Sequence, residues 1–429
     1  MRSRWWCLSG CLGLLLFPNS CGDGGSRQTP IPSLALHTFS RTQLDNGFFA
    51  EGVAAGDINR DGALDIVAGS FWYQGPTFQQ RFAYYNPVPF DPAGTSDNFF
   101  AFVHDFNQDG WLDILIVGLS GTSATWFENP QGAAGFWISH TVFDGVGNES
   151  PTFTDLTGDG MPELVFQNNG QFGWAGPDPA HPEVPWTFHP ISPSLSNSPF
   201  THGLGVGDVN RDGRLDVLEA TGWWEQPASL AGDPLWIQHP SDFGGQGAQM
   251  YAVDVDGDGD NDIVTSLGPH GFGLVWYEQR VVGGQITFCQ HLIMGDTPDK
   301  NKYGVVFSQL HAVVVTDVDG DGVPDIVTGK RRWAHGPTGD PDPNAPPVLY
   351  WFKTVRSPQG VDFVPYLIDS NSGTGTQFVV TDMNGDNRPD ILVSNKLGTF
   401  YMQQSVRTVT QQEWEAAQPK AMFAPVPSC

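Results

Sequence analysis

The chain has 429 residues, a formal net charge of −27, 52 glycines and 34 prolines, and only 16% charged residues. This composition fits a turn-rich all-β protein better than a helical one. The excess of acid argues against nucleic acid or anionic lipid as partners, because the chain has too few bases to neutralise phosphates, and it makes metal cations the natural counter-charge.

At the N-terminus, Arg2 and Arg4 precede an apolar run from Trp5 to Phe17 and then Asn19-Ser20-Cys21-Gly22. This predicts a signal peptide over 1–20 and a linker over 21–33, the apolar run being too short to span a membrane as a mature helix. Cys21 after a small residue resembles a bacterial lipoprotein cleavage site, so lipidation at Cys21 and ordinary cleavage are both open. Either route exports the chain, to the periplasm, the outer membrane or the exterior, and a lipid on Cys21 would be its sole membrane attachment. Beyond Cys21 the cysteines are Cys289 and Cys429, which either pair or stay free thiols.

One acidic motif then recurs along the chain: DINRDGALD (57–65), DFNQDGWLD (105–113), DLTGDGMPE (155–163), DVNRDGRLD (208–216), DVDGDGDND (254–262), DVDGDGVPD (317–325) and DMNGDNRPD (382–390). Successive copies are 48, 50, 53, 46, 63 and 65 residues apart, which suits one four-stranded propeller blade per copy with insertions in the last two intervals. An apolar stretch precedes each copy and another follows it, so the loop links the first two strands of a blade. An aromatic pair marks the third strand at Trp72-Tyr73, Trp126-Phe127, Trp276-Tyr277 and Trp351-Phe352, with Trp224-Glu225 in the same place.

The outer strand reads FWISHTV (136–142), WTFHPI (186–191), WIQHP (236–240) and FCQHLI (288–293), and Leu34–Phe39 has the same look ahead of the first blade. After the seventh loop the third strand is expected to end near Met402, with no outer strand following. The expected fold is therefore all-β, a seven-bladed β-propeller of four-stranded blades over 34–403, closed by the N-terminal strand completing the last blade, with 404–429 as a short helix or tail.

Within each loop, D-x-[DN]-x-D-G-x-x-[DE] places side-chain oxygens at alternate positions and lets glycine take the sharp turn, as a hard cation requires. The expected calcium ligands, up to seven sites, are Asp57, Asn59, Asp61 and Asp65; Asp105, Asn107, Asp109 and Asp113; Asp155, Thr157, Asp159 and Glu163; Asp208, Asn210, Asp212 and Asp216; Asp254, Asp256, Asp258 and Asp262; Asp317, Asp319, Asp321 and Asp325; and Asp382, Asn384, Asp386 and Asp390. They hold about half of the 47 acidic residues. Two copies depart from the pattern, the third ending on Glu163 and the seventh carrying Asn387 where glycine is expected. With these motifs the chain resembles the FG-GAP or VCBS repeat family of secreted seven-bladed propellers, in which calcium holds the blades together and does no chemistry.

Six residues before each loop lie Glu51, Phe99, Glu149, His202, Ala248, His311 and Thr376, equivalent positions that form a ring at the channel mouth opposite the acidic loops. The links from second to third strands add Trp72, Trp223, His270, Lys330, Arg331, His335 and Lys396 to the same rim. His202, His270, His311 and His335 are candidate ligands of a Zn²⁺ with an open position, while Trp72 and Trp223 would suit a sugar. The periodic His37, His140, His189, His239 and His291 are expected to be structural.

The strings HGLGVGDVNRDGRLDVLEATGWWEQP (202–227), SLGPHGFGLVWYEQ (266–279) and LHAVVVTDVDGDGVPDIVTGKRRWAHG (310–336) are similar to the propeller domain of the aldos-2-ulose dehydratase family and its bacterial relatives. The resemblance implies a zinc-dependent dehydratase of keto-sugars, a carbon–oxygen lyase, with Lys330 or Arg331 holding substrate and Glu51 or Glu149 accepting the proton. The 429 residues leave no room for the cupin and lectin domains that accompany that enzyme's propeller. A second class of function stays open on the residues alone, a non-catalytic surface propeller that binds a glycan or protein at the same rim.

Overall fold

The acidic loops shape themselves. In the first, Asp57 accepts the backbone N–H groups of Asp61 and Gly62, both at 3.0 Å, while Asn59 accepts from Asp61 and Asp61 from Ala63 at 2.9 Å each. Gly62 sits at φ +90°, a turn that glycine makes without strain. In the seventh loop Asn387 takes the same left-handed turn at φ +61° and still donates its N–H to Asp382 at 2.7 Å; asparagine tolerates that conformation, so the sequence departure leaves the loop intact.

The final aspartate of six loops clamps the loop to the third strand. Asp216, fully buried, accepts the Val209 N–H at 2.9 Å and the Gln226 N–H at 3.0 Å. Asp65, Asp113, Asp262, Asp325 and Asp390 repeat the arrangement. Glu163 accepts from Leu156 and also from the Thr157 hydroxyl, at 2.8 and 3.0 Å.

The computed structural model describes residues 34–195 and 198–426; the expected signal peptide and linker, Cys21 and Cys429 lie outside them. The protein is all-β, built of small antiparallel meanders, one to each acidic loop. Ala54–Gly56, Asp65–Ala68, Phe71–Tyr73 and Arg81–Ala83 form the first. The second and third share the long strand Ile138–Thr154, in which an outer strand runs on as the next inner strand. The fourth and fifth are joined by parallel pairing of Leu204–Gly207 with Gln249–Val253. Val313–Thr316, Asp325–Gly329, Leu349–Ser357 and Gly360–Asp369 form the sixth.

In the seventh, Phe378–Thr381, Asp390–Asn395 and Gly398–Val409 are followed by the N-terminal strand Leu34–Asp45, paired antiparallel from Leu34 with Val409 to Asp45 with Thr399. The third strand thus runs past the expected end near Met402 and the expected boundary at 403, because the N-terminal strand supplies hydrogen-bond partners that far. The helix Gln411–Ala417 follows, with a capping box between Thr410 and Glu413.

The outer-strand histidines are structural. His140, His189, His239 and His291 stack on Trp126, Trp174, Trp223 and Trp276 with ring centroids 4.0 to 4.6 Å apart, and each pairs with a neighbouring carboxylate. Cys289, between them in sequence, is held in a disulfide.

Inner strands of the second to seventh meanders line a cavity of about 200 Å³, among them Phe102, Phe153, Val206, Tyr251, Val313 and Phe378. Gln377 spans from the seventh meander to the second, accepting from the Ala101 N–H at 2.8 Å and donating to its carbonyl at 3.1 Å. Gln249 likewise joins Val313 to the Thr376 carbonyl. The candidate site sits at the end of this cavity remote from the acidic loops.

Candidate metal centre at the histidine-rich mouth

Glu149, His202, His270 and His311, contributed by the third, fourth, fifth and sixth meanders, bring one donor atom each within 4.8 Å of one another. His202 Nε2 and His270 Nε2 are 3.1 Å apart, and Glu149 Oε2 lies 3.3 Å from both His202 Nε2 and His311 Nε2. His311 is fully buried and His202 and Glu149 nearly so. Among the described residues, His202 Nδ1, His270 Nδ1 and both ring nitrogens of His311 lack a hydrogen-bond partner. Of these, His311 Nε2 faces the point shared with Glu149, His202 Nε2 and His270 Nε2; a buried polar atom without a partner is costly, and a cation at that point would satisfy it.

The electrostatics favour the ligating forms. Burial pulls His311 well below the usual imidazole range, helped by the Arg331 charge. Burial, with His202 and His335 nearby, lowers His270 to about 4. For Glu149, burial pushes upward, but the adjoining His202 and His311 hold its carboxyl well below the ordinary range. Neutral imidazoles and an ionised carboxylate at neutral pH are what a metal requires. The donor set, three imidazole nitrogens and one carboxylate oxygen, suits zinc.

Two sequence expectations change here. His335 lies outside the four-donor group: its ring is tilted against His270 at 4.4 Å between centroids, its side chain is 62% exposed, and its Nδ1 lies 2.8 Å from Asp340, so that His270, His335 and Asp340 form a second, more open group of candidate ligands. Glu149, expected to accept a proton, stands among the donors. Asp340 also accepts the backbone N–H groups of Ala334 and His335, at 3.0 and 2.8 Å, and so fixes the loop that carries the ring. Sequence reasoning missed Asp340 because it lies in an insertion outside the repeat register.

A second charged cluster adjoins the first. Arg331 donates to Glu51 at 2.8 Å, and Lys396 Nζ lies 3.7 Å from the other Glu51 oxygen, all three side chains being at most 3% exposed. Lys330 is buried and donates to Ser308 at 2.6 Å; burial lowers its pKa to about 8. Both expected tryptophans are absent from the mouth. Trp223 is buried and stacked on His239, so no ring face is free. Trp72 stacks on Phe82 and lines a surface cavity with Ile58 and Asn59 of the first acidic loop, at the other end of its meander.

The acidic loops also gather oxygens: Asp155, Asp159 and Glu163 lie within 4.8 Å of one another, as do Asp254, Asp256 and Asp262. Burial pushes the final carboxyls up, those of Asp113, Asp216, Asp262 and Asp325 to about 7, and a cation among them would offset that cost. These residues fit calcium.

Residues 105–166, the second acidic loop through the third, match the family described as FG-GAP-like repeat. No curated protein sequence matches the chain. Among solved structures it is similar to BBS1N in complex with ARL6DN, at 11% identity and a TM-score of 0.44 over 89% of this chain and 99% of that one. It is similar to the rhamnogalacturonan lyase YesW, at 12% identity and 0.41 over 87% and 73%. An Agrocybe aegerita lectin that recognises non-reducing terminal N-acetylglucosamine matches at 15% identity and 0.44 over 87% and 94%.

Proposed function

We propose that this chain is an exported seven-bladed β-propeller, braced by calcium in its acidic loops, whose histidine-rich mouth holds zinc and dehydrates a carbohydrate of the keto-sugar class. The convergence of Glu149, His202, His270 and His311 on one buried point carries the metal part of this reading. Closure of the ring is supported where the first and last inner strands meet, Thr376 donating its N–H to the Glu51 carbonyl at 2.9 Å, and by the pairing of the N-terminal strand with Gly398–Val409. The lyase part rests on the strings that resemble aldos-2-ulose dehydratase and on an acid–base group beside the donors. Export, with or without a lipid on Cys21, rests on the N-terminal sequence.

When bound, zinc would polarise a substrate carbonyl. The chain's own residues supply the rest. His335, held through Nδ1 by Asp340, keeps Nε2 for proton transfer with a bound molecule. It takes the proton from the carbon beside the carbonyl, a carbon–carbon double bond forms, and the neighbouring hydroxyl leaves as water once that proton is returned to it. Arg331, oriented by Glu51, offers N–H donors to substrate oxygens, and Lys330 adds a charge in the wall. Glu51 holds the two cations in place and is not the base.

One observation favours a second reading. Four protein donors complete a tetrahedral set, the pattern of closed structural zinc sites, and a zinc held that way would brace a non-catalytic surface propeller that binds a glycan or protein. The test is elemental analysis of protein purified without chelator or affinity metal, followed by a screen of keto-sugars for enone absorbance. The lyase reading expects about one zinc per chain and a His335→Gln variant that keeps zinc but loses turnover by about 100-fold or more. Zinc without turnover on any keto-sugar leaves the binding propeller; no transition metal at all refutes both uses of the site.

A further inference from the structure

The sixth acidic loop has aspartate at every ligand position, Asp317, Asp319, Asp321 and Asp325, yet a basic side chain from the third strand already pairs with two of them. Lys353, on Leu349–Ser357, places Nζ 2.6 Å from Asp321 Oδ2 and in still closer contact with Asp319 Oδ2. The lysine side chain is 21% exposed and that of Asp319 12%, so its contact with Asp319 is largely withdrawn from water, while Asp321 stays exposed.

A basic residue at this register position is peculiar to this meander, whereas Arg214, within the fourth loop itself, pairs with Asp212 there. Ile326 pairs with Phe352, which puts Lys353 one residue further on. Equivalent pairings, Ile66 with Tyr73, Ile114 with Phe127, Leu164 with Ala175, Val217 with Trp224, Ile263 with Tyr277 and Ile391 with Met402, put neutral or acidic residues at that point in the other six. Glu128 and Glu278 are among them, and a carboxylate there adds to the demand for a cation. A lysine has the opposite effect. Its ammonium brings three donors and one positive charge to the oxygens that calcium would bind, and it repels a second cation at the same point.

We propose that Lys353 stands in for calcium in the sixth meander, which is thereby closed without metal. The inference rests on the calcium reading of the remaining loops. It gives this meander a particular standing, because strand Asp325–Gly329 runs from the loop directly to Lys330 and Arg331, and the same meander supplies His311. A tethered cation would keep that wall of the mouth in place when calcium falls, while the neighbouring meanders loosen.

Crystals of the full chain soaked in terbium, a luminescent calcium substitute with strong anomalous scattering, test this without a substitution. Peaks are expected at other acidic loops and none at Asp317–Asp325. A terbium peak at the sixth loop overturns the proposal while leaving the calcium reading standing; peaks at no loop overturn both. In solution, Lys353→Met is expected to raise bound calcium by about one ion per chain. Hydrogen exchange of wild-type protein in chelator covers the case in which that variant fails to fold. Strand Asp325–Gly329 should keep its protection while strands such as Asp262–Ser266 lose theirs, and equal loss in both refutes the tethered-cation account.

Discussion

Replacing His311 with alanine should abolish most of the stabilisation that zinc confers. In the wild type, zinc at about 100 times its dissociation constant raises the unfolding free energy by about 2.7 kcal/mol if it binds only the folded chain. Unfolding roughly 390 residues at about 2.1 cal/mol/K each gives an entropy near 0.8 kcal/mol/K, so the midpoint should rise by about 3 °C. A structural zinc site is worth roughly 10–16 kcal/mol over four ligands, or about 3 kcal/mol for each, and losing one should weaken binding by about 100-fold. At the same zinc concentration His311→Ala should then gain only about 0.4 kcal/mol, a shift near 0.5 °C. The assay is differential scanning calorimetry at fixed, saturating calcium, with and without zinc. Because His311 is fully buried, alanine also leaves a cavity and lowers both midpoints, so the zinc-induced difference is the quantity to read. An undiminished shift in the variant, or no shift in the wild type, refutes the metal centre.

Asp216→Ala strands the buried N–H groups of Val209 and Gln226 and should cost about 4 kcal/mol in urea unfolding in chelator, where its place in the calcium loop does not contribute; a loss under ~1 kcal/mol would show that the clamp is dispensable. Glu51→Gln removes the partner of two buried cations and should cost about 3 kcal/mol, measured the same way. Lys330, at about 8 in the folded chain against about 10.4 unfolded, binds fewer protons when folded, so its burial penalty applies below pH 8 and fades as pH rises toward 10. Stability of the wild type should climb across that window relative to Lys330→Met, and parallel pH profiles would contradict it. Trp223→Ala should cost about 4 kcal/mol, since a large stacked side chain leaves a cavity, and should leave zinc stoichiometry unchanged in elemental analysis.

Much of the architecture was legible because the repeat prints each meander with its own punctuation. The acidic loop, the apolar strands on either side and the aromatic pair recur in phase, so strand order followed from counting. The same count placed Glu149, His202 and His311 at one mouth, since residues at a shared offset from the loop occupy equivalent positions on successive inner strands. His270 and His335 lie in the links between strands, where the offset no longer applies, and only their placement in space distinguishes the ring that joins the donors from the ring that lies beyond them. Trp72 and Trp223 were misplaced for a related reason: a residue at a strand boundary can face the mouth or a neighbouring aromatic ring, and the stacks on Phe82 and His239 settled that by packing.

By itself, then, the chain's sequence determined the all-β class, the acidic loops and the offset at which the candidate site residues collect, because backbone periodicity and turn geometry are local properties. The tertiary structure alone decided which donors converge, that Asp340 fixes His335, that Glu51 answers to Arg331 and Lys396, and that Lys353 pairs with two aspartates of the sixth loop. Those contacts join residues far apart in the chain, and their existence depends on side-chain packing between meanders that no local pattern encodes.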